Sequence, residues 1–366
     1  MTGNRMRRRA AALVLGLAAT AGLAGCAGAS GDATGDAPLV GVAMPTTTSA
    51  RWIADGENLQ RQLDALGYTV DLEYAEDDVP TQVAQLEQMI TDGADALVVG
   101  AIDGTALKGV LAKAAAADIP IVSYDRLIRD SPDVDYYASF DNWRVGVLQA
   151  TSLLQGLGVV DETGARTSAP GPFSVELFAG SPDDNNATVF YNGAMSVLTP
   201  LIDSGVLVVP SGQTEFTAIA TQGWSGDVAA ERMTTLLPLY QGTGVHLDGV
   251  LSPYDGISRS IIATVSGLGG TLPVVSGQDA ELDSVKSIVA GEQYSTVYKD
   301  TRQLAEVAVS MVRALLDGTE PEVNDTTTYD NGQKVVPSYL LAPQLVTVEN
   351  YEPVLIESGY YEAGDL

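Results

Sequence analysis

Two stretches of this chain, about 150 residues apart, repeat one pattern, which confines the fold to paired copies of one supersecondary unit. Asp95-Ala-Leu-Val-Val-Gly-Ala-Ile-Asp103-Gly104 is echoed by Asp248-Gly-Val-Leu-Ser-Pro-Tyr254-Asp255-Gly256. Ile119-Pro-Ile-Val-Ser-Tyr-Asp125-Arg126 follows the first, and Leu272-Pro-Val-Val-Ser-Gly-Gln278-Asp279 follows the second at a matching distance. Each copy reads as buried strand, polar turn, helix, buried strand, polar turn. Short apolar runs alternating with helix-length segments mark parallel β-α-β units. In such sheets ligands bind beyond the carboxyl ends of the strands, and Asp, Arg, Gln or Tyr stands there in both copies.

Residues 1–25 read as an export signal. Arg5, Arg7, Arg8 and Arg9 form a basic start, Ala10 to Leu23 an apolar stretch, and Leu23-Ala24-Gly25-Cys26 a small-residue site ending in the only cysteine. Those last four residues resemble a bacterial lipobox, which implies cleavage before Cys26 and lipidation of its sulfur. The alternative is a free thiol beside an ordinary cleavage site. A single cysteine makes no disulfide within the chain. The apolar stretch is too short and too rich in Gly and Ala to span a bilayer, so the chain is expected outside the cytoplasm, meeting the membrane only through the lipid. Residues 26–37 are expected to form a flexible tether. The chain carries 19 Lys+Arg against 47 Asp+Glu, a formal charge of −28. That charge argues against nucleic acid as a partner, and solubility alone accounts for it.

Along the remainder, strands are expected at 39–44, 69–74, 136–140, 173–178, 206–209 and 293–298, besides those of the repeat. Helices are expected at 50–66, 80–92, 143–157, 184–198, 227–237 and 300–316, and a loop-rich tail closes the chain. This alternation implies an α/β protein of two doubly wound lobes.

Enzyme chemistry finds little support. The single histidine, His246, precedes a strand and reads as a solvated turn residue. One histidine and one cysteine exclude Cys/His dyads, HExxH and most zinc sites, and no nucleophile elbow, P-loop or dinucleotide fingerprint is present. The acidic run Glu76-Asp77-Asp78 reads as a solvated loop. The other polar signals share one chemistry. Arg51-Trp52 opens the first helix; Asp125-Arg126, Ser181-Pro-Asp-Asp184-Asn-Asn186 and Gln278-Asp279 end strands; Lys299 follows a strand; Trp224 stands in a Gly-rich loop. Charged groups of both signs, amides and indoles suit a neutral polyol, whose hydroxyls donate and accept and whose C–H faces stack on aromatic rings. Singly, each has another reading: Asp125-Arg126 as a buried ion pair, Asp183 or Asp184 as a helix cap, either tryptophan as packing.

The segments MPTTTSARW, SYDRLIRDSPDVDYYASFDNW, ELFAGSPDDNNATVF, VLSPYDG, VVSGQDAELDSVKS, STVYKDTRQLA and KVVPSYLL resemble the xylose-type periplasmic sugar-binding proteins. The resemblance covers nearly the whole chain beyond Cys26. It implies the type I periplasmic-binding-protein fold, two Rossmann-like lobes joined by a multi-segment hinge. The first lobe is then expected at 38–140 plus 300–328 and the second at 141–299 plus 329–366. It also implies a monomer without cofactor, metal or catalysis. Such a protein holds an aldopentose or aldohexose between its lobes for the permease and ATPase of an ABC importer; the alternative is a sugar-sensing co-receptor for a sensor kinase or chemoreceptor. Sugar contacts carry over to Arg51, Trp52, Asp125, Arg126, Asn186, Trp224, Asp279 and Lys299. Where xylose specialists have Asn-Asp this chain has Tyr254-Asp255, as in members that accept several aldoses, and both are expected at the sugar.

Overall fold

The computed structural model describes residues 37–241 and 244–366. The expected signal at 1–25, Cys26 and the tether up to residue 36 lie outside the described residues. Ala37–Leu366 forms one unit by its contacts, and within it the chain builds two sheets in turn.

The first run is β1 (Leu39–Met44), α1 (Ala50–Ala65), β2 (Thr69–Tyr74), α2 (Val79–Thr91), β3 (Ala96–Val99), α3 (Lys108–Ala116), β4 (Ile121–Tyr124) and β5 (Tyr136–Phe140). The chain then crosses to a second run: α4 (Asn142–Gly156), β6 (Phe173–Leu177), α5 (Asn185–Asp203), β7 (Leu207–Val208), α6 (Phe216–Ile219), α7 (Gly226–Leu236), β8 (Gly249–Leu251), α8 (Asp255–Gly267), β9 (Val274–Val275), α9 (Leu282–Val289) and β10 (Ser295–Tyr298). It returns through α10 (Thr301–Leu316) and β11 (Ser338–Leu341) to the first sheet, then crosses a third time into β12 (Gln344–Thr347).

The first sheet is wholly parallel, in the order β11-β5-β4-β3-β1-β2. The second runs β7-β6-β8-β9 in parallel, and β10-β12 continue it through a bridge from Gln278 to Val297. Both lobes thus use one strand order, and β3-β4 and β8-β9 are the two copies of the sequence repeat. The repeated aspartates play the same part in each copy. Asp95 Oδ2 accepts from Leu39 N at 2.8 Å, and Asp248 Oδ2 from Ser174 N at 2.7 Å. Each carboxylate ties the start of its strand to the leading strand of its lobe.

Period-two alternation in β1 sends Val40, Val42 and Met44 to one core and Ala43 to the other. Side-chain caps start the helices that follow the strands: Asp78 accepts from Thr81 N, Asp141 from Arg144 N, Asp184 from Asn186 N and Asp300 from Arg302 N. One expected boundary moves. Residues 329–366 do not belong wholly to the second lobe, because β11 pairs with β5, and Tyr329 and Val336 pack in the first core. Only β12 and the residues after it face the second lobe, against β10 and Val285.

In the second lobe α4 and α5 cross with almost no side chain between them. A Cβ on Gly146 would overlap the Phe190 carbonyl, and one on Gly193 the Trp143 carbonyl. Gly146→Ala is expected to cost about 1–3 kcal/mol, the usual range for overpacking, read as a lower urea midpoint. An unchanged midpoint removes this account of the crossing.

A ligand-sized cleft between the two lobes

The carboxyl ends of both sheets face each other across a cleft of about 500 Å³. Its floor is a run of alternating charge. Arg51, in the first turn of α1, puts Nη2 2.6 Å from Asp125 Oδ2 and Nε 3.0 Å from Asp55 Oδ2. Lys299, at the end of β10, lies 3.7 Å from Asp125 and 3.1 Å from Asp279. Lys299 is only 2 % exposed and Asp125 equally so, so these charges are held by one another rather than by bulk water.

Asp125 follows β4 with φ 58°, an uncommon conformation for a residue with a side chain. It is held there through its carbonyl, which accepts from Tyr137 Oη at 2.6 Å, Ser139 Oγ at 2.8 Å and Asn186 Nδ2 at 2.9 Å. Asp279, φ 89°, occupies the matching position after β9, its N–H bound to Val297 O. Burial works against the Asp125 carboxylate, but Arg51, Lys299 and Arg126 outweigh it and hold its pKa below the ordinary value. Burial likewise disfavours the Arg51 cation, yet Asp125 and Asp55 raise its pKa further above the usual value.

Two indoles stand over this floor. Trp52 is flanked by the guanidinium groups of Arg51 and Arg126 at 4.7 and 5.1 Å from its ring. Trp224 meets Phe190 and Tyr254 edge-on, each at 6.3 Å. Its indole N–H and Gln278 Oε1 have no hydrogen-bond partner among the described residues, and both side chains line the cleft. Both atoms are themselves buried, so the lining holds a donor and an acceptor that the protein does not answer.

Arg51, Trp52, Asp125, Arg126, Asn186, Trp224, Tyr254, Asp279 and Lys299 all line the cleft. Besides the Lys299–Asp125 pair, two of them join the lobes. Arg126 pairs with Asp184 at 3.0 Å and donates to Ala101 O at 3.1 Å. Asn186 bridges Asp125 O and Asn142 Nδ2, the latter at 2.9 Å. Asp184 is therefore helix cap and ion-pair partner at once. A further contact across the mouth runs from Ser49 Oγ to Glu281 Oε1, 2.9 Å.

Asp255 does not belong to the cleft lining. Fully buried at the start of α8, it accepts from Glu281 N at 2.9 Å, Gln293 Nε2 at 3.0 Å and Thr296 Oγ1 at 3.0 Å. Burial, and then the nearby Glu281, push its carboxyl well up. It braces the loop that presents Asp279.

Sequence patterns alone did not mark Asp77, Phe190, Arg259 or the hydroxyls of Thr46, Thr48 and Ser49, all in the lining. Glu76, Asp77 and Asp78 are all exposed, as expected of a solvated loop, and Asp77 also lines the cleft, with left-handed backbone at Glu76 (φ 50°) and Asp77 (φ 59°). Phe190 had a signal, since it follows Asn186 by four residues on one helix face. His246 is exposed in a loop, as expected.

Behind Arg51, Asp55 is fully buried against Tyr124 Oη, and burial raises its carboxyl to about 7 despite the pull of Arg51. A carboxyl raised on folding stabilises fully below its unfolded pKa, about 4, and loses that contribution as pH rises through the folded value. Wild type should therefore lose stability relative to Asp55→Asn between about pH 4 and 7, by up to ~1.4 kcal/mol per pH unit. Urea unfolding of both proteins across that range checks this; a difference that stays flat with pH rejects it.

Residues 40–320 match the model of the periplasmic binding protein domain family. The chain is 57 % identical over 336 residues to the multiple sugar-binding periplasmic receptor ChvE of Rhizobium radiobacter, covering 90 % of this chain and 93 % of the relative. It is 34 % identical to the D-xylose-binding periplasmic protein of Escherichia coli K12, over 89 % of this chain and 92 % of the relative. Among solved structures, an ABC transporter solute binding protein from Clostridium phytofermentans with bound β-D-glucose superposes with a TM-score of 0.85 at 45 % identity, covering 90 % of this chain and 99 % of that one. These relatives are receptors and binding proteins, not enzymes. With this breadth of match and a two-lobed cleft of this make, the chain belongs to the periplasmic binding proteins, an extracytoplasmic family, among its sugar-binding receptors.

Proposed function

We propose that the chain captures neutral aldopentoses and aldohexoses, such as xylose, arabinose, glucose and galactose, between its lobes and delivers them to an ABC importer. The observation that carries this reading is the charge run Arg51, Asp125, Lys299, Asp279 lying between two indoles. A sugar hydroxyl gives its proton to a carboxylate and accepts from a cation, so it enters such a run without stranding either charge. The C–H face of the ring stacks on an indole. A ligand of one charge answers only half of the run. Trp52, Arg51 and Asp125 are the contacts proposed from the first lobe, Trp224, Asp279 and Lys299 those from the second, with Arg126 and Asn186 joining the lobes around the ligand. The names of the relatives support the ligand class, and the type of transporter named with the glucose-bound neighbour supports the importer.

Contacts divided between two lobes favour the closed arrangement, because a ligand shifts such a balance only through contacts that differ between the states. Lipidation of Cys26 is part of the proposal and rests on Leu23-Ala24-Gly25-Cys26. Cys26→Ser is expected to release the protein from cell membranes with sugar affinity unchanged. Fractionation of cells after labelling with a radioactive fatty acid tests this, and a wild-type protein without label ends the lipid claim.

Calorimetric titration of protein starting at residue 27 with D-glucose, D-galactose, D-xylose and L-arabinose tests the ligand class; no heat from any of the four overturns it. Asp279→Asn keeps the shape but removes the charge that answers Lys299. Its affinity should fall roughly tenfold to hundredfold, about 1.5–3 kcal/mol. Because Asp279 is 7 % exposed and ion-paired, the melting temperature of the unliganded variant should fall as well. Wild-type affinity in this variant excludes Asp279 from the sugar contacts.

A further inference from the structure

The indole of Trp224 is seated in a socket made by an absent side chain. A Cβ added to Gly180 would overlap Cη2, Cζ3 and Cζ2, the outer carbons of the Trp224 ring. Gly180 is not among the residues with positive φ, so backbone conformation does not demand glycine there. The closeness of the ring does.

Neither backbone segment has freedom to retreat. Gly180 follows β6 (Phe173–Leu177), and the neighbouring Ala179 pairs in parallel with Ala220. Thr221 N donates to Ala179 O at 3.0 Å, Gly223 N to Ser181 Oγ at 2.8 Å, and Trp224 N to Thr221 O at 3.1 Å. The strand end that forms the socket and the turn that carries the ring are therefore stitched together on both sides of the contact. Phe190 and Tyr254 stand edge-on to the ring, each at 6.3 Å. The side left open is the cleft.

We infer that Gly180 is a specificity-determining residue: its bare Cα fixes how far the Trp224 indole stands into the cleft, and so leaves room for six-carbon as well as five-carbon aldoses. This rests on the monosaccharide reading given above. Gly180 positions Trp224 and does not itself bind the sugar.

The test compares wild type, Gly180→Ala, Trp224→Phe and the double variant by titration with D-glucose and D-xylose, and by tryptophan emission of the unliganded proteins. In Gly180→Ala the ring is driven into the cleft. Glucose affinity should then fall by about tenfold or more beyond any loss for xylose, the scale set by one methylene in a binding pocket. Emission should shift to the red as the indole enters water. A phenylalanine ring stops short of the three overlapping carbons. In the Trp224→Phe background the added methyl should therefore cost little, a non-additivity that a merely destabilising mutation does not produce. Equal losses for the two sugars, or additive effects in the double variant, overturn the inference. If Gly180→Ala does not fold, the double variant decides: the socket requires it to fold and bind like Trp224→Phe, and failure to fold refutes it. Wild type that binds neither sugar refutes the monosaccharide reading and with it the selectivity role, while an emission shift confined to the Trp224 background still reports the socket itself.

Discussion

The carbonyl of Asp125 is the point on which the cleft depends. Its three hydrogen-bond donors come from β5 (Tyr137 and Ser139) and, across the cleft, from α5 (Asn186). Together they hold a left-handed aspartate whose carboxylate faces Arg51 and Lys299. A non-glycine residue in that conformation is disfavoured by roughly 1–2 kcal/mol, and three buried hydrogen bonds readily offset that cost. Lose the carbonyl contacts and nothing holds the carboxylate toward Arg51 and Lys299.

The buried charges answer one another before any ligand arrives. An isolated buried charge costs several kcal/mol, which is why Arg51 is shared between Asp55 and Asp125, and why Lys299 lies between Asp125 and Asp279 over the rings of Phe140 and Phe190. Such pairs add little net stability. What they supply is a set of oriented donors and acceptors whose side chains are already fixed, so little ordering remains when a ligand binds.

Much of this architecture is legible in the sequence because it is local or periodic. The repeat locates β3-β4 and β8-β9, and strand-end charged residues locate most of the cleft. The rest depends on contacts far apart in sequence. Asp255 sits in the same turn pattern as Asp103, yet Gln293, Thr296 and Glu281 capture its carboxylate from the far side, and nothing within its own segment announces them. Asp77 reads as one of three solvated acids, and all three are exposed, but nothing within the run announces that Asp77 also reaches the cleft lining. β11 and β12 are four residues each, too short for periodicity to separate from a loop, and only their pairing partners divide the tail between the lobes.

That division of the tail has a consequence for the order in which the molecule can be assembled. Each sheet has its outermost strand on the side of β5 or β10 supplied by the same short stretch, β11 for the first lobe and β12 for the second. Chains of several domains usually complete the amino-terminal domain during synthesis, before the next is made. Here neither lobe possesses all its strands until β11 and β12 emerge, and the last of them ends at residue 347. Each sheet is therefore completed only by residues 338–347, and a truncation before β11 makes β5 and β10 the edge strands of their lobes.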